Sequence, residues 1–529
     1  MKRFISSLMV LLAVTNLEAQ QQAPKLVVTI TVDQLRGDYI EYFYNTFGER
    51  GFKRLMKEGA VYQNIRFDFT NVDRSSSFAT LFTGTNPTFH GISGDKKYDF
   101  DQEKEIAVLH DKEFLGNYTQ DNYSPKALIS STIGDELKIA SKGRSDVFSI
   151  APEPESAILS AGHAANGAFW MDDFNGKWAT TTYYKGIPWY VDRYNSGTES
   201  LSFRLNTMIW TPSLPIERYN AFPYVLDELP FRYTFNESSP TCYPNLKTSP
   251  YINKEVNRLA FQFLEYAAFG TRSCPDMLAI TYYAGNYRTV LNKEYNREIQ
   301  DIYYQLDKDI EALLDRIDDK VGLDNTLIVF SGTGYFKTIE EYPESLLLGG
   351  GEFYPKRCIA LLNMYLMNVY GQQTTWVTGY YNHQIFLNRK AISDAKIDLA
   401  EIQNKAAEFV QEFSGVQSVT TDRFLLNGDW NEGTAKLRHG THHKGRGDII
   451  IELQPGWKLN FEIPNENVQV VRNNAVITPL IFMGSGIKPQ HIYREVNATE
   501  VAPSVTHILR IRPPNATNSV PLHELSIEK

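Results

Sequence analysis

Four side chains near the carboxyl end of the chain have types and spacing that could bind a metal ion. His439, His442, His443 and Asp448 lie within one short glycine-containing segment. Imidazole nitrogens with a nearby carboxylate are ligands that zinc or copper accepts. A lysine and two arginines in the same segment oppose a bound cation, so use of these side chains within a polar loop is the alternative interpretation.

Asp33 and Ser75 are two further candidates for chemistry. Asp33 ends a predicted buried strand, and ligands of open α/β folds bind at the carboxyl ends of strands. Its carboxylate could therefore serve a metal, or it could hydrogen-bond to the neighbouring loop. Ser75 begins a run of three serines, and as a nucleophile it would need a base or a metal to deprotonate it. The alternative is that the serine run caps a helix.

The elements that position these residues are predicted from the hydrophobic pattern. Short β-branched runs separated by amphipathic stretches are typical of a parallel sheet wrapped by helices. We therefore expect an α/β fold with a mostly parallel central sheet flanked by helices, and a surface helix over residues 292–316. The predicted strands lie at residues 26–32, 147–150, 277–281, 326–330, 448–453 and 479–482.

Two stretches interrupt this pattern, at about residues 164–248 and 339–443, and we interpret both as cap insertions over the carboxyl edge of the sheet. The first is rich in tryptophan and tyrosine, which provide stacking platforms for a glycan or anchors for a partner. Packing onto the core is the alternative. The tryptophans of this insertion are Trp170, Trp178, Trp189 and Trp210.

The amino terminus and the composition indicate an exported globular protein. Two basic residues, an apolar run over residues 4–14 and a small-residue site before Gln20 are typical of a secretory signal peptide, here residues 1–19. No later segment is apolar enough to span a membrane. The net charge of -9 argues against a nucleic-acid partner. Cys242, Cys274 and Cys358 permit at most one internal disulfide, and their pairing stays open.

Several motifs resemble the alkaline phosphatase superfamily, in the branch of threonine-nucleophile alkaline phosphatases and nucleotide pyrophosphatase/phosphodiesterases. They are VDQLRGDY at residues 32–39, FTGTNPTFHGI at 82–92 and AGHA at 161–164. PLIFMGSGI at 479–487, followed by VAPS at 501–504, resembles the closing strand and helix of the family. The resemblance covers residues 20–529 and implies one alkaline-phosphatase-like domain that carries the two insertions.

The resemblance implies a two-zinc mechanism in which a Thr or Ser attacks phosphorus, and this chemistry needs six Asp and His ligands. Asp33 is the single ligand that the motifs retain. The next two ligand positions fall on Tyr282 and Asn286, and a further Asp-His pair falls on Thr333 and Gly334. The last His of the family is also missing, since residues 461–478 contain no His. We therefore expect no cofactor, or zinc if the chain is active.

The nucleophile and phosphate-binding positions are altered as well. The nucleophile position of the family falls on Arg74, or on Ser75 after a shift of one residue. Asp95 stands where the family has an Asn that contacts phosphate, and Glu153 and Glu155 stand where the monoesterase branch has a Lys and an Arg. Carboxylates at these positions repel a phosphoryl group. A solvated loop at 153–155 is the alternative interpretation.

Three functional hypotheses follow. The first is a catalytically inactive pseudophosphatase that acts as a binding or assembly component of an extracytoplasmic complex, with a protein partner in the cell envelope. The second is a phosphoric or sulfuric ester hydrolase with a remodelled site, in which Asp33, Asp73 and Asp95 surround one metal. The third is a glycan-binding module that uses Trp178 or Trp189. The signal peptide predicts a periplasmic or extracellular location, with attachment to the outer membrane through a partner as one form of it.

Overall fold

The computed structural model describes residues 23–99, 102, 104–220, 231–287, 296–337, 350–371, 373–428, 430–462, 469–471 and 476–525. The predicted signal peptide, residues 1–19, lies outside them. Within these residues, no helix combines the length and the apolar composition needed to cross a membrane.

The strands alternate along the chain with helices, as the hydrophobic pattern predicted. The strands are β1 (Leu26–Asp33), β2 (Ala60–Tyr62), β3 (Ile65–Arg66), β4 (Lys96–Asp99), β5 (Lys104–Ala107), β6 (Gly116–Asn117), β7 (Val147–Ala151), β8 (Gly167–Met171), β9 (Trp178–Thr181), β10 (Ile209–Trp210), β11 (Tyr233–Thr234), β12 (Asp276–Tyr283), β13 (Thr326–Gly332), β14 (Glu352–Phe353), β15 (Val377–Tyr381), β16 (Gln384–Leu387), β17 (Val416–Thr421), β18 (Ile449–Leu453), β19 (Lys458–Leu459), β20 (Gln469–Val470), β21 (Leu480–Gly484), β22 (Gln490–Ile492) and β23 (Val496–Asn497). The α-helices are α1 (Gly37–Tyr42), α2 (Phe52–Glu58), α3 (Arg74–Thr83), α4 (Pro87–His90), α5 (Ile133–Ala140), α6 (Pro154–Ala161), α7 (Trp189–Ser196), α8 (Leu201–Leu205), α9 (Cys242–Lys247), α10 (Tyr251–Tyr266), α11 (Asn296–Lys320), α12 (Pro355–Tyr370), α13 (Arg389–Asp394), α14 (Leu399–Gln411), α15 (Asp422–Asn427), α16 (Glu432–His439) and α17 (Val501–Leu509).

A large mixed sheet forms the centre of the molecule. Its strand order is β22-β2-β21-β13-β1-β12-β7-β8-β9-β6. The neighbours β13, β1, β12, β7 and β8 run parallel, whereas β21 is antiparallel to β13 and β9 is antiparallel to β8. All eight residues of β1 are buried, because helices cover both faces of the sheet. The strand predicted at 479–482 is present as β21 in this sheet, and it is antiparallel to both of its neighbours, β13 and β2.

Helix α11 shows how the amphipathic pattern builds the fold. Its apolar side chains Ile302, Leu306, Ile310 and Leu313 are fully buried in the core on one side of the sheet. They recur three or four positions apart, which places them on one face of the helix. The helix begins at Asn296 and ends at Lys320, close to the predicted range of 292–316, whose first four residues lie outside the described ones.

A separate small sheet carries the second insertion. Its order is β15-β16-β18-β17, with antiparallel neighbours and a hydrophobic core of its own formed with α12 and α14. We call the unit formed by residues 350–459 the cap. The strand predicted at 448–453 is present as β18, but it belongs to the cap sheet and not to the central sheet.

The first insertion is in part a continuation of the central sheet, because β8 and β9 lie in it. Trp170 and Trp178 in these strands are buried in the two main cores. Cys242, Cys274 and Cys358 are free thiols.

Candidate functional site

The carboxyl ends of β1, β12 and β13 meet at one edge of the central sheet. Asp33 is in register with Tyr283 on β12, and Val32 is in register with Gly332 on β13. Helix α3 begins at Arg74 beside the same edge. At this edge the structure thus brings together the positions that the sequence motifs predict for a metal ligand, Asp33, and for the nucleophile, Arg74.

The carboxylate of Asp33 is buried and fully engaged by protein groups. The Arg74 side chain donates from Nε to Oδ2 of Asp33 at 2.9 Å. On the other oxygen, the Tyr335 hydroxyl donates to Oδ1 at 2.7 Å, and the Thr333 hydroxyl donates to it at 3.3 Å. The Asp33 side chain is 4% exposed and that of Arg74 is 15% exposed. A guanidinium therefore supplies the cation that this carboxylate contacts.

The charge of Arg74 is strongly favoured at this position. Burial alone would lower the pKa of Arg74, but Asp33, Tyr335, Glu153 and Asp95 outweigh that effect and raise it well above its ordinary value. Arginine stays protonated in proteins in any case. The side chain that stands at the nucleophile position is thus a permanent cation without nucleophilic character.

Ser75 is also unsuited to act as the nucleophile. Its hydroxyl donates to Oδ1 of Asp95 at 2.7 Å, its backbone N–H donates to the same atom, and the residue is fully buried. Among its described contacts there is no histidine or lysine that could accept its proton. The serine run does help to start α3, but the N-cap is Asp73, whose Oδ1 accepts from the Ser76 N–H at 2.9 Å.

The four altered ligand positions have structural uses. The Tyr282 hydroxyl donates to Oδ1 of Asn257 within the core, and Nδ2 of Asn286 donates to the backbone carbonyl of Lys337 at 3.0 Å. The Thr333 hydroxyl bonds Asp33 and accepts from the Gln34 N–H. All three side chains are thus hydrogen-bonded to other groups of the protein.

Gly334 excludes any side chain at the fourth of these positions. Its φ is +70°, in the left-handed region that favours glycine. An added Cβ would lie 2.2 Å from Cδ2 of Phe67, so the aromatic ring occupies the space that a ligand side chain would need.

These residues do not fit the two zinc ions that the resemblance implies. The part of the chain that the structure describes holds no group of three or more His, Cys, Asp or Glu side chains able to bind a metal ion. The remodelled single-metal trio is not assembled either. Asp73 caps α3 and accepts from the Asp95 N–H at 2.9 Å, Asp95 accepts from Ser75, and Asp33 accepts from Arg74.

Glu153 precedes helix α6 and forms an ion pair with a buried lysine, so it is not part of a solvated loop. Its Oε2 lies 3.0 Å from Nζ of Lys247, which also lies 2.6 Å from Oδ1 of Asp173, and the lysine side chain is 4% exposed. Burial would raise the pKa of Glu153, but Lys247 and Arg74 shift it below its ordinary value. The solvated-loop interpretation of this position was therefore wrong.

Glu155 and Asp73 are carboxyls that the site holds partly protonated near neutral pH. Burial and then the charge of Asp95 raise the pKa of Glu155 to about 8, and the same two causes raise the pKa of Asp73 to about 7. The carboxyls crowd around Arg74, whose charge lowers the pKa of Glu155 but does not offset the other two effects. The region where the resemblance places a phosphate therefore holds four acidic side chains, Asp73, Asp95, Glu153 and Glu155, two of which keep part of their protons.

In the described structure the histidine segment forms no metal site and instead agrees with the interpretation as a polar loop. Nδ1 of His439 lies 3.1 Å from the backbone carbonyl of Asp68, and Nδ1 of His442 lies 2.8 Å from that of Thr88. Asp448 is fully buried and accepts from the Leu387 N–H, from Arg389 and from Gln403. The segment uses two histidines to dock the cap onto the core, while His443 stays exposed.

The two tryptophans proposed for glycan binding differ in exposure. Trp178 is 1% exposed and packs in the core, so it offers no stacking surface. Trp189 is 58% exposed, and the Arg193 guanidinium lies 4.9 Å from its ring centre. Glycan binding through Trp189 stays a prediction.

Lys247, Tyr335 and Gln34 are site residues that the sequence motifs did not reveal. Gln34 anchors the loop after β13, since its Oε1 accepts from the Lys337 N–H at 3.0 Å. Lys247 lies 94 residues from Glu153 in the sequence, and its helix sits in the aromatic-rich insertion. A single lysine at the end of a short helix is too weak a sequence signal to have assigned Lys247 to the site.

Asp309 lies in the core near Tyr282 and gives the protein a testable pH dependence. It is 7% exposed, its Oδ2 has no hydrogen-bond partner among the described residues, and burial raises its pKa to about 8. The folded state therefore binds a proton that the unfolded state releases between about pH 4 and 8, so stability falls as pH rises through that window.

Replacing Asp309 by Asn should remove this contribution. We expect the variant to exceed the wild type by about 2 kcal/mol in unfolding free energy at pH 9 and to match it near pH 4. Urea unfolding at pH 4, 7 and 9 measures the difference. An equal change at all three pH values would contradict the assignment.

The sequence and the fold both match known proteins. The model of the family "Type I phosphodiesterase / nucleotide pyrophosphatase" matches residues 27–474. "Alkaline phosphatase PafA" of Elizabethkingia meningoseptica is 26% identical over 95% of this chain and 94% of its own length. "Alkaline phosphatase PhoV" of Synechococcus elongatus is 27% identical over 93% and 91% of the two chains, and a "Calcium-transporting ATPase" of Myroides odoratus is 28% identical over 95% of each.

The fold agrees with these matches. The crystal structure of wild-type PafA superposes with a TM-score of 0.82 at 26% identity, and the match covers 95% of this chain and 99% of PafA. The motifs, the central mixed sheet and the family model identify the same relationship. This chain belongs to the type I phosphodiesterase/nucleotide pyrophosphatase family, within the alkaline phosphatase superfamily.

Proposed function

We propose that this chain is an exported, catalytically inactive member of the family, a pseudophosphatase that acts as a binding or assembly component of an extracytoplasmic complex. The observation that carries the proposal is the ion pair between Arg74 and Asp33. It places a permanent cation on the one retained ligand carboxylate. An arginine cannot act as the nucleophile, and its partner carboxylate is no longer available to a metal.

The electrostatics of the site support the same conclusion. Hydrolysis of a phosphate ester requires stabilisation of negative charge that develops in the transition state. Here the Arg74 guanidinium is already paired with Asp33, and the Lys247 ammonium is already paired with Glu153 and Asp173. Because both cations are neutralised by the protein, the site lacks the differential stabilisation on which phosphatase catalysis depends.

The alternative function is that of a phosphoric ester hydrolase with a remodelled site. Two of the relatives are named alkaline phosphatases and match over more than nine-tenths of their lengths, which favours shared chemistry. The residues at the predicted ligand positions argue against this hydrolase. Zinc in proteins is bound by Cys, His, Asp or Glu, and none of these stands at positions 282, 286, 333 and 334.

Metal content and turnover distinguish the two functions. The chain from residue 20 onward is purified, and its zinc is measured by mass spectrometry before and after incubation with zinc. Turnover of nitrophenyl phosphate mono- and diesters is measured in the same samples. We expect substoichiometric metal and no turnover above the zinc-containing buffer, because the site provides neither ligands nor a nucleophile.

Two controls make this result decisive. PafA, prepared in parallel, shows that the assay detects a family phosphatase. Asp33→Ala should leave the background rate of our chain unchanged. Stoichiometric zinc together with turnover that Asp33→Ala abolishes would overturn the proposal and establish the hydrolase.

The assembly role has a separate measurement. If the chain is a component of an envelope complex, its native mass in a mild detergent extract of the cell envelope should exceed that of the purified chain. Blue native electrophoresis of both samples compares them directly. Equal masses would contradict the assembly role while leaving the loss of catalysis intact.

A further inference from the structure

A groove of about 310 Å³ lies mainly in the cap, where Tyr98 of β4 also lines it, and its lining residues do not belong to the Asp33 site. It is formed by the end of β16, the start of α13 and the segment that follows His442. Cavities of a few hundred Å³ are typical of small-molecule sites. We call this groove the cap pocket.

The wall of the cap pocket is strongly basic. It contains the side chains of Arg389, Lys390, Lys444 and Arg446 together with His443, and no Asp or Glu is among its described lining residues. This contrasts with the chain as a whole, whose net charge is -9. A concave surface lined by one sign of charge concentrates ligands of the opposite sign.

Two of these cations, Arg389 and Arg446, have carboxylate partners that hold them in place. Nη2 of Arg389 lies 3.0 Å from Oδ1 of Asp448. The Asp448 side chain is fully buried, and the Arg389 side chain is 47% exposed. Arg446 is 2% exposed and pairs with Asp422 at 3.0 Å. Buried anchors of this kind fix the position of the guanidinium groups before a ligand arrives.

Lys390 and Lys444 provide the mobile part of the positive wall. Lys390 is 88% exposed and pairs with Asp394 on its own helix, an exposed pair of small energetic weight. Lys444 is exposed, and the described residues place no acceptor within hydrogen-bonding distance of its ammonium group. Both side chains can turn toward a bound anion without breaking a buried contact.

Two apolar side chains also line the pocket. Leu387 is 2% exposed and Tyr98 is 6% exposed, and the Tyr98 ring stacks on Phe386 with ring centres 4.2 Å apart. The pocket therefore combines several basic side chains with a small apolar surface. A free inorganic ion would use only the first of these features, whereas an anionic group on a small organic body would use both.

We propose that the cap pocket binds a small organic oxyanion ester, with its phosphate or sulfate group against Arg389 and Lys444 and its organic body against Tyr98 and Leu387. Guanidinium and ammonium groups are the side chains that bind such oxyanions in proteins. The proposal is independent of the lost phosphatase chemistry, since the pocket shares no residue with the Asp33 site.

Titration calorimetry tests the proposal with three ligands of one shape: glucose 6-phosphate, glucose 6-sulfate and glucose. The charged esters should bind and glucose should not. Lys444→Glu should weaken ester binding at least tenfold, while Lys444→Arg should retain it. The matched control is Lys356→Glu, an exposed lysine of the cap outside the pocket, which should bind as the wild type does.

The two esters also distinguish the natural source of the anion. Tighter binding of the phosphate ester indicates a phosphorylated metabolite, and tighter binding of the sulfate ester indicates a sulfated saccharide. Absence of heat with both esters, or equal affinity of wild type and Lys444→Glu, would overturn the proposal. Phosphate release, followed separately during the titration, reports on the Asp33 site and leaves this conclusion unaffected.

Discussion

Replacing Arg74 by Met should lower the free energy of unfolding by about 3 kcal/mol at pH 7, because breaking a buried ion pair leaves an unpaired charge. The side chain of Asp33 is 4% exposed, and Arg74 is its cationic partner in the structure. In the variant, the carboxylate keeps its bonds from Tyr335 and Thr333 but loses its counter-charge. Urea unfolding followed by tryptophan fluorescence measures the loss.

The double variant Asp33→Asn, Arg74→Met separates the ion pair from packing. It removes both charges, so it should recover a large part of the loss. Arg50→Met is the matched control, because Arg50 forms an ion pair with Glu311 but is 61% exposed, and its removal should have a much smaller effect. A loss in Arg74→Met as small as in this control would show that something other than Arg74 neutralises Asp33.

Replacing Lys247 by Met should also be destabilising, by about 2 kcal/mol at pH 7, less than for Arg74 because one of its partners is exposed to solvent. The ammonium group of Lys247 bridges Glu153 and Asp173; the lysine side chain is 4% exposed, that of Glu153 is 25% exposed and that of Asp173 is 62% exposed. The variant leaves two neighbouring carboxylates without their shared cation. Lys126→Met is the control, because its ion pair with Glu113 is exposed on both sides, and it should leave the unfolding midpoint unchanged.

The pH dependence of the Lys247 variant has a definite sign. Lys247 and Arg74 lower the pKa of Glu153, so the stabilisation is present above the ordinary pKa of glutamic acid and is lost as pH falls through the lowered value. Burial would lower the pKa of Lys247, but its two partners raise it, so the pair persists to alkaline pH. The difference between wild type and variant should therefore shrink below about pH 4. A difference that stays constant down to pH 3 would contradict the ion-pair assignment.

Both variants concern the same feature of the molecule. The positions that the motifs predict for a nucleophile, a metal ligand and a phosphate clamp carry charges that pair with one another. Arg74 faces Asp33, and Lys247 faces Glu153. A stable internal network of this kind preserves the fold at the sheet edge, where a cluster of unpaired carboxylates would otherwise be costly.

The central elements of the fold could be predicted from local pattern. β1 reads as a continuous β-branched run because a parallel strand covered on both faces is apolar throughout. The apolar residues of helix α11 recur with a period of about 3.6, although its amino-terminal half is buried on nearly all sides, polar residues included. The direction of β21 and the separate cap sheet around β18 could not be predicted, since pairing is decided by contacts distant in sequence.

Two alternatives that the sequence left open, a metal site in the histidine segment and a stacking surface at Trp178, are excluded for one reason. The histidine segment has zinc-like composition, yet His439 and His442 turn toward backbone carbonyls of the core while Asp448 turns toward Arg389. Trp178 lies in an aromatic-rich stretch, yet it is buried. Spacing along the chain limits which side chains can meet, but their directions depend on the elements packed around them.

What the sequence by itself determined is the family, and its motifs predict that the family's ligand set is lost. Tyr282, Asn286, Thr333 and Gly334 cannot act as Asp or His whatever their surroundings, because ligand chemistry belongs to the side chain itself. Only the tertiary structure decided what replaced that chemistry. Arg74 and Asp33 are 41 residues apart, and their contact exists because β1 and the start of α3 converge at one edge of the sheet.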